Sequence, residues 1–134
     1  MNPHIQRRFR ELEYRLCSAS VVLQYRILQQ EVAQYSGHTR MRARLVDGGL
    51  FELFEYVTAQ PDGTLVVKTY RYHWQDANDD VIRRWDNAAH HQRLPHAPHH
   101  VHLHDGSVEG VADPPDAIEV LDRIEARFRQ EEQE

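Results

Sequence analysis

The chain has 134 residues, of which 40% are hydrophobic and 28% are charged, and its formal net charge is −5 with the histidines neutral. These proportions are typical of a globular protein and exclude a disordered chain, and no segment approaches the roughly 18 consecutive apolar residues of a transmembrane helix. The acidic total also argues against broad nonspecific binding of nucleic acid, which depends on Lys and Arg neutralising phosphates.

A single cysteine, Cys17, excludes an intrachain disulfide and a thiolate-rich zinc site. The first residues lead into an amphipathic pattern and lack the apolar run of a signal peptide. We therefore expect one domain over residues 1–134, located in a reducing cytoplasm. Lys68 is the only lysine and all other basic residues are arginines. The planar guanidinium suits local recognition of a carboxylate or phosphate even in an acidic chain.

The first predicted elements are a helix and a long strand. Asn2 followed by Pro3 is typical of an N-cap with proline at the first helical position. Apolar residues then recur at helical spacing at Ile5, Phe9, Leu12 and Leu16, which predicts a helix over about residues 3–16. Residues 21–35 give a mixed signal. The alternation of Leu23, Tyr25 and Ile27 favours a long strand, although Gln29–Gln34 could be helical.

Beyond Gly37 the pattern predicts an antiparallel meander. The strand candidates are Met41–Val46, Leu50–Val57, Leu65–Trp74, Val81–Asp86 and a short segment at His100–Leu103, separated by turns at Asp47-Gly48-Gly49, Pro61-Asp62-Gly63 and Gln75–Asp80. Asp113, followed by Pro114 and Pro115, is the expected N-cap of a last helix. The predicted fold is therefore α+β, an antiparallel sheet of about five to six strands flanked by an N-terminal and a C-terminal α-helix.

One face of this sheet is expected to collect polar groups. If Gln75 pairs with Asp80, alternation along the strands places Arg71, His73, Arg84 and Asp86 together, with the aromatic residues on the other, core face. Two arginines, a histidine and a carboxylate on one face are an active-site-like set, although an ion-pair network has the same composition. Glu52 and Glu55 lie on opposite faces, so only one can join. We expect Glu55, although simple pairing of the Pro61-Asp62-Gly63 hairpin favours Glu52.

Seven of the ten histidines lie in residues 90–104. His100, His102 and His104 alternate, so they share one face of an extended segment. With a carboxylate they could bind Zn, Ni or Mn. Alternatively, one imidazole acts as general base and another as general acid, while Arg84 stabilises a phosphoryl transition state. We expect no metal or other cofactor, with a His-bound divalent metal as the alternative.

Several motifs resemble the TumE family of toxin–antitoxin proteins. They are Tyr70-Arg-Tyr-His-Trp-Gln-Asp, Ile82-Arg-Arg-Trp-Asp-Asn, His90-His91 and Pro98-His-His-Val-His, together with Asp47-Gly48, the Glu55-Tyr56 pair and the last helix, Asp113–Gln130. The resemblance covers nearly the whole chain. Two departures are Ala89, where a proline is expected, and the lack of a glycine after Asn78.

The resemblance implies a small toxin held inactive by an antitoxin with a DNA-binding helix-turn-helix. We expect it to act on RNA or nucleotides by His/Arg acid–base chemistry, as a metal-independent ribonuclease would. The alternatives are a noncatalytic protein-binding module and a His-ligated, metal-dependent hydrolase. The edge strand could also pair with a second copy, giving a homodimer, or with the antitoxin. The candidate catalytic residues are His73, Arg84, Asp86, His100, His102 and Glu55, and the candidate substrate-binding residues are Arg71, Asn87, His91 and His99.

Overall fold

A computed structural model describes residues 1–133, and in this range it has two α-helices and seven strands. Helix α1 spans Pro3–Ser18 and helix α2 spans Ala117–Gln133. The strands are β1 (Val22–Val32), β2 (Ser36–Leu45), β3 (Leu50–Ala59), β4 (Leu65–Gln75), β5 (Val81–Asp86), β6 (His100–Leu103) and β7 (Val108–Gly110). A short 3₁₀ helix, Ala89–His91, lies between β5 and β6. None of the described helices is long and apolar enough to cross a membrane.

The strands form one antiparallel sheet in which each strand pairs with the next in the chain, in the order β1 to β7. The α+β meander with flanking helices is thereby confirmed, with more strands than predicted. Strand β2 begins at Ser36, earlier than the predicted Met41, and Gly37 is a strand residue. Its missing side chain leaves room for Ile5 of α1, which a Cβ at Gly37 would touch. Strand β7 has only three residues, too few to show an alternation.

Both helices bury their apolar side chains on one face of the sheet. Helix α1 begins at the predicted cap, where the Asn2 side chain accepts hydrogen bonds from the backbone N–H groups of His4 and Ile5. The predicted apolar stripe of α1, namely Ile5, Phe9, Leu12 and Leu16, is buried. On the same face of the sheet, Tyr72, Trp74 and Trp85 are buried. Arginines of α2 lie over both tryptophan rings. Within residues 1–133 the opposite face carries neither α-helix and is called the open face below.

The predicted N-cap of α2 was wrong by three residues. The helix begins at Ala117, and the Asp116 side chain accepts a hydrogen bond from the backbone N–H of Glu119. Asp113 does not cap the helix because a proline disfavours helical geometry in the residue before it. Pro115 therefore keeps Pro114 out of the helix, and the first helical turn forms only after Asp116.

The predicted place of Glu55 was also wrong. Glu55 faces the helices and is fully buried, whereas Glu52 lies on the open face between Arg42 of β2 and His73 of β4. The Glu55 carboxylate accepts hydrogen bonds from Arg8 Nε (3.1 Å), Arg8 Nη2 (2.7 Å) and the Tyr72 hydroxyl (2.7 Å). Burial and the Glu55 charge both raise the pKa of Tyr72. Glu55 thus ties α1 to the sheet and lies across it from the polar set.

Candidate active site

Strands β4, β5 and β6 bring the predicted polar residues together on the open face. Arg71 pairs with Asp86 and His73 with Arg84, and on the other side Arg84 pairs with His102 and Asp86 with His100. The predicted grouping is confirmed although the register differs. A bulge after Trp74 pairs Gln75 with Val81, and the pairs further along shift by two residues. A shift of two residues leaves every side chain on its predicted face.

Asp86 is at the centre of the cluster and is only 4% exposed. Its Oδ1 lies 2.9 Å from His100 Nε2, and its Oδ2 lies 3.4 Å from His102 Nε2 and 3.5 Å from Arg84 Nε. Oδ1 also accepts a hydrogen bond from the backbone N–H of Ala88. Because a buried carboxylate is costly unless it is paired, these contacts hold Asp86 at a fixed position beneath His102 and Arg84.

His100 lies between two acceptors. Its Nδ1 is 2.9 Å from the backbone carbonyl oxygen of Pro98, which can only accept, so Nδ1 carries a proton. Its Nε2 lies 2.9 Å from Asp86 Oδ1 on the other side of the ring. Because His100 is only 2% exposed, these two contacts fix its ring in a buried position.

His102 lies between a donor and an acceptor. Arg84 Nη2 lies 3.3 Å from His102 Nε2, and Asp86 Oδ2 lies 3.4 Å from the same nitrogen. Burial lowers the pKa of His102 from its ordinary value of 6.5, and the positive charge of Arg84 lowers it further. The His102 side chain is 22% exposed and that of Arg84 is 31% exposed, so both can meet a ligand.

His91 completes the cluster from the segment that follows β5. The 3₁₀ helix places its ring 4.8 Å from the His100 ring and 5.6 Å from the His102 ring, measured between centroids. One ring nitrogen from each of the three histidines lies within 4.8 Å of the others. Gly110 of β7 permits this packing, because a Cβ there would clash with the carbonyl oxygen of Pro95.

The expectation that His104 shares a face with His100 and His102 was wrong. Strand β6 ends at Leu103, and a turn with Gly106 at φ +87° follows. His104 is exposed in this turn, and its Nδ1 lies 2.9 Å from the carbonyl oxygen of Val81. His91, which no periodicity connects to β6, takes the third position instead.

The remaining predicted residues surround this cluster without joining its contacts. His73 Nε2 lies 2.8 Å from Gln75 Oε1, and Arg71 is exposed. The Asn87 amide bonds to the β4 backbone, accepting from the N–H of Tyr70 and donating to the carbonyl of Lys68.

His99 Nδ1 lies 3.0 Å from the Tyr70 hydroxyl, and the two rings are stacked. Burial, with a smaller effect of the Asp86 charge, raises the pKa of Tyr70 to about 12. The hydroxyl of Tyr70 therefore stays protonated at neutral pH.

The fold and the cluster define a class: an antiparallel α+β protein whose open sheet face carries histidines, an arginine and a buried carboxylate. A family model described as toxin TumE matches residues 9–132, and the chain belongs to the TumE toxin family. The resemblance noted in the sequence is thereby confirmed. Membership indicates the toxin component of a toxin–antitoxin module, a class that in general has an antitoxin partner. No curated protein and no solved structure matches the chain.

Proposed function

We propose that this toxin acts on RNA or nucleotides by metal-independent acid–base chemistry at the His91–His100–His102 cluster. The observation that supports this most is the position of His102. Burial and the charge of Arg84 lower its pKa, its side chain is 22% exposed, and the ring of His91 lies 5.6 Å away between centroids. A neutral, partly exposed imidazole beside a second imidazole suits the roles of general base and general acid.

In the proposed reaction His102 is the general base. When an RNA phosphate binds, Arg84 turns from His102 Nε2 to a phosphate oxygen, and the exposed lone pair takes the proton of the 2′-hydroxyl. O2′ forms a bond with phosphorus while the P–O5′ bond breaks, and His91, as the general acid, donates a proton to O5′. The products are a 2′,3′-cyclic phosphate and a 5′-hydroxyl end. Arg84 stabilises the charge on phosphorus oxygens in the transition state.

Asp86 and His100 have a positioning role in this scheme because both are too buried to touch a substrate. Asp86 orients His102 and Arg84, and the bond from His100 to the Pro98 carbonyl fixes the orientation of His100. Arg71 and His73, which lie on the adjoining strand, are placed to contact the rest of the substrate.

A direct test is the cleavage of RNA by purified protein. We expect His102→Ala to lower the cleavage rate by 100-fold or more, on the order of the loss of a general base. His104→Ala is the matched control, since His104 is two residues away and its ring bonds to the carbonyl oxygen of Val81. Equal rates for His102→Ala and the unaltered protein would remove His102 from the reaction.

A metal-dependent hydrolase is the second candidate. Three histidine nitrogens within 4.8 Å, with Asp86 beside them, could hold a divalent metal. The bond from His100 Nδ1 to a carbonyl is also the arrangement that orients metal-bound histidines. The charge of Arg84 next to His102 opposes a bound cation, which is why we favour acid–base chemistry. Two results would support a metal-dependent hydrolase. The protein would contain stoichiometric metal after purification without chelator, and its activity would be lost in EDTA and restored by Zn²⁺.

The proposal includes an antitoxin with a helix-turn-helix and a cytoplasmic location. Both were expected from the sequence, the first through the family resemblance and the second through cysteine content. The antitoxin would be supported by a neighbouring gene that encodes a short helix-turn-helix protein, if that protein co-purifies with this chain. A homodimer through the exposed edge of β1 remains an expectation, which the mass of the purified protein in solution would test.

A further inference from the structure

The open face of the sheet is rich in arginine well beyond the histidine cluster. Strand pairing places six arginines on it, and the same positions hold three acidic residues, Glu31, Glu52 and Asp86. The arginines are Arg26, Arg40, Arg42, Arg44, Arg71 and Arg84. Since the whole chain has a net charge of −5, the basic groups are concentrated on this face and the rest of the molecule is strongly acidic.

Three of these arginines are available to a ligand. Glu52 is already engaged by Arg40 at 3.1 Å and by Arg42 at 2.8 Å. Arg26, Arg44 and Arg71 are exposed and form no salt bridge within residues 1–133. Arg26 and Arg44 line one groove together with Gln24 and Arg42. Two guanidinium groups without a carboxylate partner, side by side in one groove, are suited to binding phosphates.

Aromatic rings lie between the arginines on the same face. Phe54 of β3 pairs with Arg40 on one side and Arg71 on the other, and the Arg40 guanidinium lies 4.9 Å over its ring. His38 lies 6.4 Å from the same ring, and the neighbouring Tyr56 is 37% exposed. Basic side chains that follow a backbone, alternating with rings on which bases stack, are the features that bind single-stranded nucleic acid.

We propose that a single-stranded RNA lies across this open face, from the Arg26–Arg44 groove on β1 and β2 toward His102 on β6. At about 4.8 Å between strands, β1 and β6 are roughly 24 Å apart, a length that fits a stretch of several nucleotides. The proposal names the substrate class of the proposed ribonuclease and rests on that function only for what happens at His102. Binding on β1 and β2 does not depend on it.

The test measures how tightly the full chain binds a fluorescein-labelled 12-nucleotide single-stranded RNA. Binding is detected by the fluorescence anisotropy of the RNA, at salt concentrations between 50 and 200 mM. We expect the double variant R26A/R44A to bind roughly tenfold more weakly at low salt, with a salt slope smaller by about 1.4 for two lost phosphate contacts. The matched control is R10A/R129A, which removes the same charge from exposed positions on α1 and α2. We expect less than a twofold change for this control.

The outcomes distinguish a failure of the proposed RNA-binding surface from a failure of the proposed chemistry. Equal losses in the two double variants, or equal binding of a 12-base-pair RNA duplex, would overturn the proposal. It would also fall if R26A/R44A left RNA binding intact and weakened capture of the antitoxin, since the surface would then belong to a protein partner. If R26A/R44A weakens binding but no RNA is ever cleaved, the binding surface stands and the proposed chemistry is wrong. If cleavage depends on His102 and R26A/R44A leaves KM unchanged, the chemistry stands and the surface is wrong.

Discussion

The substitution Glu55→Gln tests whether Glu55 is a structural residue, as its position implies, and not part of the active site. The carboxylate is fully buried and accepts three hydrogen bonds, two from Arg8 and one from Tyr72. A glutamine keeps the shape but replaces one oxygen by an NH₂ group. In either amide orientation this donor faces a donor of Arg8, so the guanidinium loses its charged partner and one of its hydrogen bonds.

The expected cost follows from this geometry. Removing one partner of a buried ion pair costs about 3–5 kcal/mol, because the remaining charge stays buried without compensation. The Arg8 side chain is 17% exposed, so water reaches part of the guanidinium and the lower end applies. We expect the free energy of unfolding to fall by about 3 kcal/mol and Tm to fall by roughly 10 °C.

Urea unfolding followed by tryptophan fluorescence measures this, with Glu52→Gln as the matched control. Glu52 lies on the same strand and pairs with two arginines, but its partners are partly exposed, so we expect a loss below about 1 kcal/mol. Adding Arg8→Met to Glu55→Gln should restore stability, since it removes the uncompensated charge. The reasoning fails if Glu55→Gln costs no more than Glu52→Gln, or if the double variant is less stable than Glu55→Gln alone.

Three further predictions concern the site. Gly110→Ala should push the Pro95 carbonyl away and displace His91, lowering RNA cleavage at least tenfold with the protein still folded; unchanged cleavage and unchanged amide exchange in residues 89–99 would contradict this. Asn87→Ala should destabilise the protein by about 1–3 kcal/mol through the lost bonds to the β4 backbone, and urea unfolding that matches the unaltered chain would refute it. In a pH profile of cleavage, the acid limb should lie below pH 6.5, because the active His102 is neutral and its lowered pKa delays protonation as pH falls. Arg84→Ala should move that limb to higher pH, and a limb that stays in place would show that another group titrates.

The parts of the fold that the sequence predicted are those with a local periodic signal. The apolar spacing of α1 from Ile5 to Leu16 is helical over about three turns, and Asp47-Gly48 marks the β2–β3 hairpin. The polar grouping on β4 and β5 was predicted despite a wrong register, because only the parity of the pairing decides the face. His100, His102, Arg84 and Asp86 therefore meet as the alternation indicated.

The parts that the sequence did not predict depend on tertiary contacts. His91 enters the cluster on a segment without periodicity, held by the close approach of Pro95 to Gly110. Glu55 was placed by its motif, whereas the β3–β4 pairing puts it under α1 opposite Tyr70. The net charge of −5 does not predict the arginine surface. Only the pairing of strands β1 to β5 shows that six arginines share one face.

The central claim, that toxicity arises from the His91–His100–His102 cluster, is tested most directly by growth inhibition when variants are expressed without antitoxin at matched protein levels. We expect cells expressing His102→Ala to grow normally while the variant still binds the antitoxin, and His104→Ala to stop growth like the unaltered protein. Growth arrest by His102→Ala equal to that of the unaltered chain would contradict it.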